Sequence, residues 1–225
     1  MTTRIPFRPR RRQHGLGLIS LMAGMLLSVL GVLSLLMLYR TLVGQTVQSR
    51  ARAAEDGSYA TATLSAQMEL HNAGYGIGSN STRAAVNTDL ILVSGAALDA
   101  NGRLSGTAQT VGASGVSTGN AVIWGAQPGV AYECSALLMQ SATLMLLRAS
   151  GSCSSATQWG TATWTRSADL IPAGTMTLAS NNVFRVDRAT CWPYGLGAAT
   201  ALRVTIWGDD SVWKTSACLT NFSGA

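Results

Sequence analysis

Hydrophobic and polar positions divide the chain into three textures. Residues 16–38 are apolar without a charge, and a helix of that length rises roughly 35 Å, enough to cross a hydrocarbon core. From 39 to 73 the chain is rich in Ala, Gln, Arg, Thr, Leu and Met, and no proline occurs between Pro9 and Pro128. One helical rod is expected to continue outward, softened near Gly44 and Gly57 and stopped by Gly74-Tyr75-Gly76. Val47, Ala51, Ala54, Ser58, Ser65 and Met68 recur at helical spacing and predict the stripe that a sheet covers. Beyond residue 86, short β-branched and aromatic runs alternate with Gly, Asn, Asp and Ser. They predict strands at 90–93, 121–124, 143–148, 161–166, 183–186, 201–207 and 212–217, with turns at Asn101-Gly102 and 208–211. Leu202, Val204 and Ile206 alternate with Arg203 and Thr205, as in a strand with one buried face. Residues 102–120, with Gly102, Gly106, Gly112, Gly115 and Gly119 among Ser and Thr, read as a mobile loop. The pattern predicts an α+β protein: a long N-terminal helix whose outer half packs on an antiparallel sheet.

Composition narrows the class. Of 225 residues, 47% are hydrophobic and 12% charged, which excludes a disordered chain. The formal net charge of +6 is local: Arg4, Arg8, Arg10, Arg11 and Arg12 supply five of it. The pI of about 9.6 therefore reports a basic N-terminus and not a nucleic-acid footprint. Arginines before the apolar run place the amino end in the cytoplasm and residues 40–225 outside. There Cys134, Cys153, Cys191 and Cys218 read as two disulfides. A cleaved secretory signal would have a shorter apolar region and a small-x-small site, and Ala51-Arg52-Ala53 comes too late. The Arg11-Arg12 pair of a twin-arginine signal meets the same objection, and a plain uncleaved anchor is the simpler alternative.

The join between the basic and apolar parts carries more. Arg10-Arg11-Arg12-Gln13-His14-Gly15 followed by Leu16-Gly17-Leu18-Ile19-Ser20-Leu21-Met22 resembles the class III leader of type IV pilins and type II secretion pseudopilins. The resemblance implies that a prepilin peptidase cuts after Gly15 and methylates Leu16, which stands in place of the usual phenylalanine. Ser20 stands where the family has a glutamate thought to pair with a neighbouring subunit's terminal amine. Its absence suits a subunit present in few copies or at a tip. A second block, Ala54-Glu55-Asp56-Gly57-Ser58-Tyr59-Ala60 and then Ala73-Gly74-Tyr75-Gly76, resembles the pattern that PilW-like minor pilins place after their long helix. The two blocks cover about one third of the chain. They imply a leader over 1–15, a transmembrane helix over 16–38, its periplasmic extension over 39–76 and a β-rich globular domain over 77–225. The implied function is that of a minor pilin in type IV pilus assembly, as part of a priming or tip complex, with roles in twitching motility and adhesion. Implied partners are other minor pilins, the major pilin, prepilin peptidase and the bacterial inner membrane, with no cofactor and no specific nucleic acid. The final place is a pilus fibre at the cell surface. A type II secretion pseudopilin is the alternative within the same machinery, and a pilus-tip adhesin or DNA-binding subunit the alternative from another class.

Four cysteines allow three pairings. The sequential one, Cys134 with Cys153 and Cys191 with Cys218, is expected, and the second pair resembles the carboxy-terminal loop closure common in pilins. Within the apolar run, Gly17, Ser20, Gly24, Ser28 and Gly31 recur at steps of three or four and share one face, where small residues let helix backbones approach closely in lipid. Catalytic motifs fail. Gly115-Val116-Ser117-Thr118-Gly119 fits a nucleophile elbow, but no histidine follows His71 to complete a triad, and the one lysine, Lys214, stands in no P-loop. No cysteine has a second ligand at C-x-x-C spacing, so a metal site is disfavoured. Asp209-Asp210 reads as a solvated turn, and the six tryptophans, all between 124 and 213, read mostly as core.

Overall fold

The computed structural model describes residues 17–78, 83–151, 153–172, 182–191, 201–207 and 214–222. The chain forms two compact units, Met1–Ala53 and Ala54–Ala225, with the boundary inside one uninterrupted helix, α1 (Leu18–His71). Neither Gly44 nor Gly57 interrupts it. Helical hydroxyls are satisfied internally: Ser28 Oγ donates to Met25 O (2.8 Å), Ser34 Oγ to Leu30 O (2.9 Å) and Thr61 Oγ1 to Gly57 O (2.9 Å).

In the outer unit, α1 buries Ala62, Ala66 and Leu70, with Tyr59 half-buried on the same side. This corrects the expected stripe. Val47 (63% exposed), Met68 (55%), Ala51, Ala54 and Ser58 are exposed, and Ser65 is half-buried. The covered side carries two small alanines, and Leu70 supplies the apolar volume at the end. The helix stops where Gly74 and Gly76 both take φ of +73°, a conformation that costs an L side chain about 1–2 kcal/mol.

Six antiparallel strands make the first sheet, in the order β2 (Leu104–Gln109), β1 (Leu90–Leu98), β4 (Ala121–Ala126), β5 (Glu133–Gln140), β6 (Thr143–Ser150) and β7 (Thr163–Ile171). Its central strands are buried on both faces. Leu90, Leu92, Val122, Trp124, Leu137, Met139, Leu144 and Leu146 face one cluster, shared with α1. The alternate residues Ile91, Val93, Ile123, Ala136, Leu138, Met145 and Leu147 face a second, closed by Trp164 and by the 3-10 turn Ala156–Gly160. The sheet rolls until its edge strands meet: Arg103 bridges to Thr163, and the Trp164 N–H donates to Gly102 O at 2.6 Å.

A second antiparallel sheet runs β10 (Lys214–Leu219), β9 (Ala201–Trp207), β8 (Phe184–Ala189) and β3 (Val116–Gly119). It presents Phe184, Val186, Leu202, Val204, Ile206, Ala217 and Leu219 to the helix-facing cluster. The layout is α+β, a long N-terminal helix on antiparallel sheets, as expected. Residues 102–120 are corrected from a loop to two strands, β2 and β3. Their glycines stand where a Cβ would clash: one at Gly106 would lie 2.5 Å from the side-chain Cγ1 of Val93, and one at Gly119 2.4 Å from the backbone oxygen of Val93. β5, not expected as a strand, is the centre of the first sheet.

Candidate functional site

Gly15 and Leu16, the expected cleavage pair, lie outside the described residues, as does the turn 208–211. The segment that follows is an apolar sleeve. From Leu18 (77% exposed) to Leu38 (59%) every large apolar side chain is exposed, and α1 is long and apolar enough there to cross a membrane. Gly17, Ser20, Gly24, Ser28 and Gly31 are exposed on this sleeve, and a Cβ built on Gly17, Gly24 or Gly31 meets no atom within 4 Å. Ser28 turns its hydroxyl inward to Met25 O. The first turn carries no acid, and the first one in the chain is Glu55. The sleeve therefore offers apolar and small surface but no carboxylate to a partner's amine.

The outer end of the helix is fixed by polar contacts to both sheets. Arg148 on β6 donates through Nη2 to both oxygens of Glu69 (2.8 and 2.7 Å) and through Nη1 to Ser135 Oγ on β5 (2.5 Å). The pair is partly exposed, worth about 0.5–1 kcal/mol, and sets orientation more than stability. Gln67 Nε2 donates to Thr215 Oγ1 (2.6 Å) and Ser216 O (3.2 Å), which covers the outer edge of β10. Asn221 Nδ2 donates to His71 O (3.1 Å) and Ala73 O (2.9 Å), carbonyls of the helix end and corner.

The Ala73-Gly74-Tyr75-Gly76 block is that corner. The Gly74 N–H donates to Gly125 O (2.8 Å), and the Gln127 N–H donates to Tyr75 O (2.7 Å), so the chain leaving α1 lies along the end of β4. A Cβ on Gly76 would sit 2.0 Å from Gln127 O, and one on Gly74 2.8 Å from Ala84 Cβ. In the preceding block Tyr59 is half-buried against the core, and burial pushes its phenol well above the usual range. Glu55 and Asp56 are exposed.

Side-chain amides and one carboxylate replace missing ladder bonds elsewhere. Asn120 Oδ1 accepts from the Ala96 N–H (2.7 Å), and its Nδ2 donates to Ala96 O (2.7 Å) and Met139 O (3.1 Å), where β1 bulges. Buried Asp89 accepts from the Ala85 N–H (2.8 Å) and from Tyr132 OH (2.9 Å). Burial first, and the Asp89 bond second, push the Tyr132 phenol far up. These residues carry the architecture and left no motif in the sequence.

The disulfides join Cys134 to Cys153 and Cys191 to Cys218, with Cα separations of 5.9 and 6.0 Å. Ser117 lies on strand β3, not on a strand-to-helix turn, and its Oγ donates to Thr110 O (3.0 Å). Trp124 and Trp164 are core, while the ring of Trp207 carries Arg185 Cζ at 4.7 Å and Lys214 Nζ at 5.0 Å, cations from the two flanking strands. Among the described residues no group of three or more His, Cys, Asp or Glu could hold a metal. Comparison with protein-family models, curated proteins and solved structures found no match for this chain.

Proposed function

We propose that the protein is a minor pilin of the PilW-like kind, a low-copy subunit of a complex that primes or caps a type IV pilus. One observation carries the reading. A prepilin-like leader sequence precedes a single uninterrupted helix whose first part is exposed among the described residues, and whose last turns are buried against the sheets. An apolar sleeve of this kind needs lipid before assembly and partner helices after it. The PilW-like block at the helix end supports the reading physically, because its two glycines are required by the corner that docks on β4.

In this account prepilin peptidase removes residues 1–15 at the inner membrane, Leu16 becomes the methylated amino terminus, and the outer domain stands in the periplasm. Ser20 supplies no carboxylate, so association with sibling minor pilins and the major pilin rests on packing along the small-residue face. Gly24→Leu tests this. Leucine favours lipid, so membrane insertion is retained, while the bulk separates the helix backbones. Co-purification with sibling minor pilins is expected to fall with membrane level unchanged, and Leu26→Ala, off the face, to leave it intact. Equal retention by both variants would remove the small-residue face from the account.

A further inference from the structure

The second sheet has a polar face turned away from the core, and it carries two cations that no described carboxylate neutralises. Val186, Val204, Ile206 and Ala217 point into the helix-facing cluster, so their strand neighbours Arg185, Asp187, Arg203, Trp207, Lys214 and Ser216 lie on the opposite face. The register sets Lys214 of β10 opposite Trp207, and Arg185 of β8 opposite Thr205, one diagonal step from the same ring. Lys214 Nζ stands 5.0 Å and Arg185 Cζ 4.7 Å from the centroid of that ring. The electron-rich indole draws both cations and fixes where they stand. Arg148, Arg166 and Arg203 each meet a carboxylate, whereas Arg185 and Lys214 meet none among the described residues. Lys214 is exposed, and Arg185 and Trp207 are partly exposed, so a guest can reach them.

We infer that Arg185 and Lys214, set on Trp207, form a binding site for the carboxylate groups of an acidic polysaccharide. Guanidinium and ammonium groups donate hydrogen bonds and accept none, so the guest must bring oxyanions. Arg203, on the same face, shows how an arginine holds a carboxylate: its Nε and Nη2 donate to the two oxygens of Asp187 at 3.0 and 2.5 Å. Nucleic acid fits less well. With its ring engaged by two cations Trp207 is a poor platform for a stacked base, and the 11 basic and 10 acidic side chains after Gly15 leave too little excess charge to track a phosphate backbone. An acidic protein partner would need an apolar centre to its contact. Here the flanking groups are instead the exposed Thr118 and Ser216 and the neutralised Arg203–Asp187 pair, which suit sugar hydroxyls. Carboxylates repeated along one polymer can engage both cations together. The site belongs to the second sheet alone and does not depend on the chain joining a fibre.

Binding of the full chain in non-ionic detergent to immobilised polygalacturonate tests it, with neutral dextran and double-stranded DNA as comparison polymers. Wild-type protein is expected to bind polygalacturonate and not dextran. Arg185→Gln and Lys214→Gln are each expected to weaken that binding at least about tenfold, with melting temperatures close to wild type because both side chains lie on the surface. Arg103→Gln removes the same charge from an exposed position away from this face and is expected to leave binding unchanged. Equal losses in Arg103→Gln and Arg185→Gln would overturn the inference, since net charge and not a site would then be read. So would wild-type protein that binds polygalacturonate no better than dextran, or that binds DNA in preference to it.

Discussion

Single residues carry more of this fold than their chemistry announces. Ser141 and Ala142 turn the hairpin between β5 and β6 with φ of 51° and 57°, where glycine or asparagine is usual. Ala142→Gly is expected to stabilise the protein by about 0.5 kcal/mol, seen as a raised melting temperature. Gly76→Ala is expected to cost at least about 2 kcal/mol, since φ is positive and a Cβ would meet Gln127 O. Tyr132 gives a pH dependence. Its phenol is held protonated in the folded state by burial and by Asp89, so its folded value lies above the unfolded one of about 10. The unfolded chain ionises first, and stability falls as pH rises above about 10. Urea midpoints at pH 9 and 11 should show the drop, and Tyr132→Phe should lessen it while costing stability at neutral pH through the partners it strands at Asp89 and Ala156.

At the scale of elements, legibility followed periodicity. β9 was readable to the residue because Leu202, Val204 and Ile206 alternate with polar neighbours. β5 was not, because Ala136-Leu137-Leu138-Met139 is apolar at every position and made of good helix formers, the signature of a strand buried on both faces. β2 and β3 were hidden by Gly, Ser and Thr: Gly106 and Gly119 stand where a Cβ would clash, and the Ser and Thr are mostly exposed, so no apolar alternation marks either strand. The buried face of α1 was misplaced for a related reason. It is marked by Ala62 and Ala66, no more apolar than Ala51 and Ala54 on the exposed side, and only the sheet distinguishes them. Ala66→Leu is accordingly expected to cost about 1–3 kcal/mol by overpacking, and Ala54→Leu to be near neutral, by urea denaturation of each variant. The helix stop was legible at Gly74 and Gly76. The side-chain amides of Asn120, Gln67 and Asn221, which complete the ladders and the helix end, follow no periodic signal.

For the whole molecule, the division of labour is between an apolar sleeve that is exposed among the described residues and a second unit whose core is closed by two sheets, two disulfides and the end of α1. Charge fits the same division. The five leader arginines account for most of the net charge, and their removal would leave 11 basic and 10 acidic side chains, a nearly neutral subunit without a dominant field. In the proposed account these arginines set orientation and their removal sets the final charge, so processing is where the proposal is most exposed. The direct test is the intact mass of protein extracted from membranes of cells with active prepilin peptidase. The account predicts a chain that begins at Leu16 and carries one added methyl group, with cleavage blocked when a bulky residue replaces Gly15. An intact 1–15 segment in those cells would contradict it and leave a plain anchored domain.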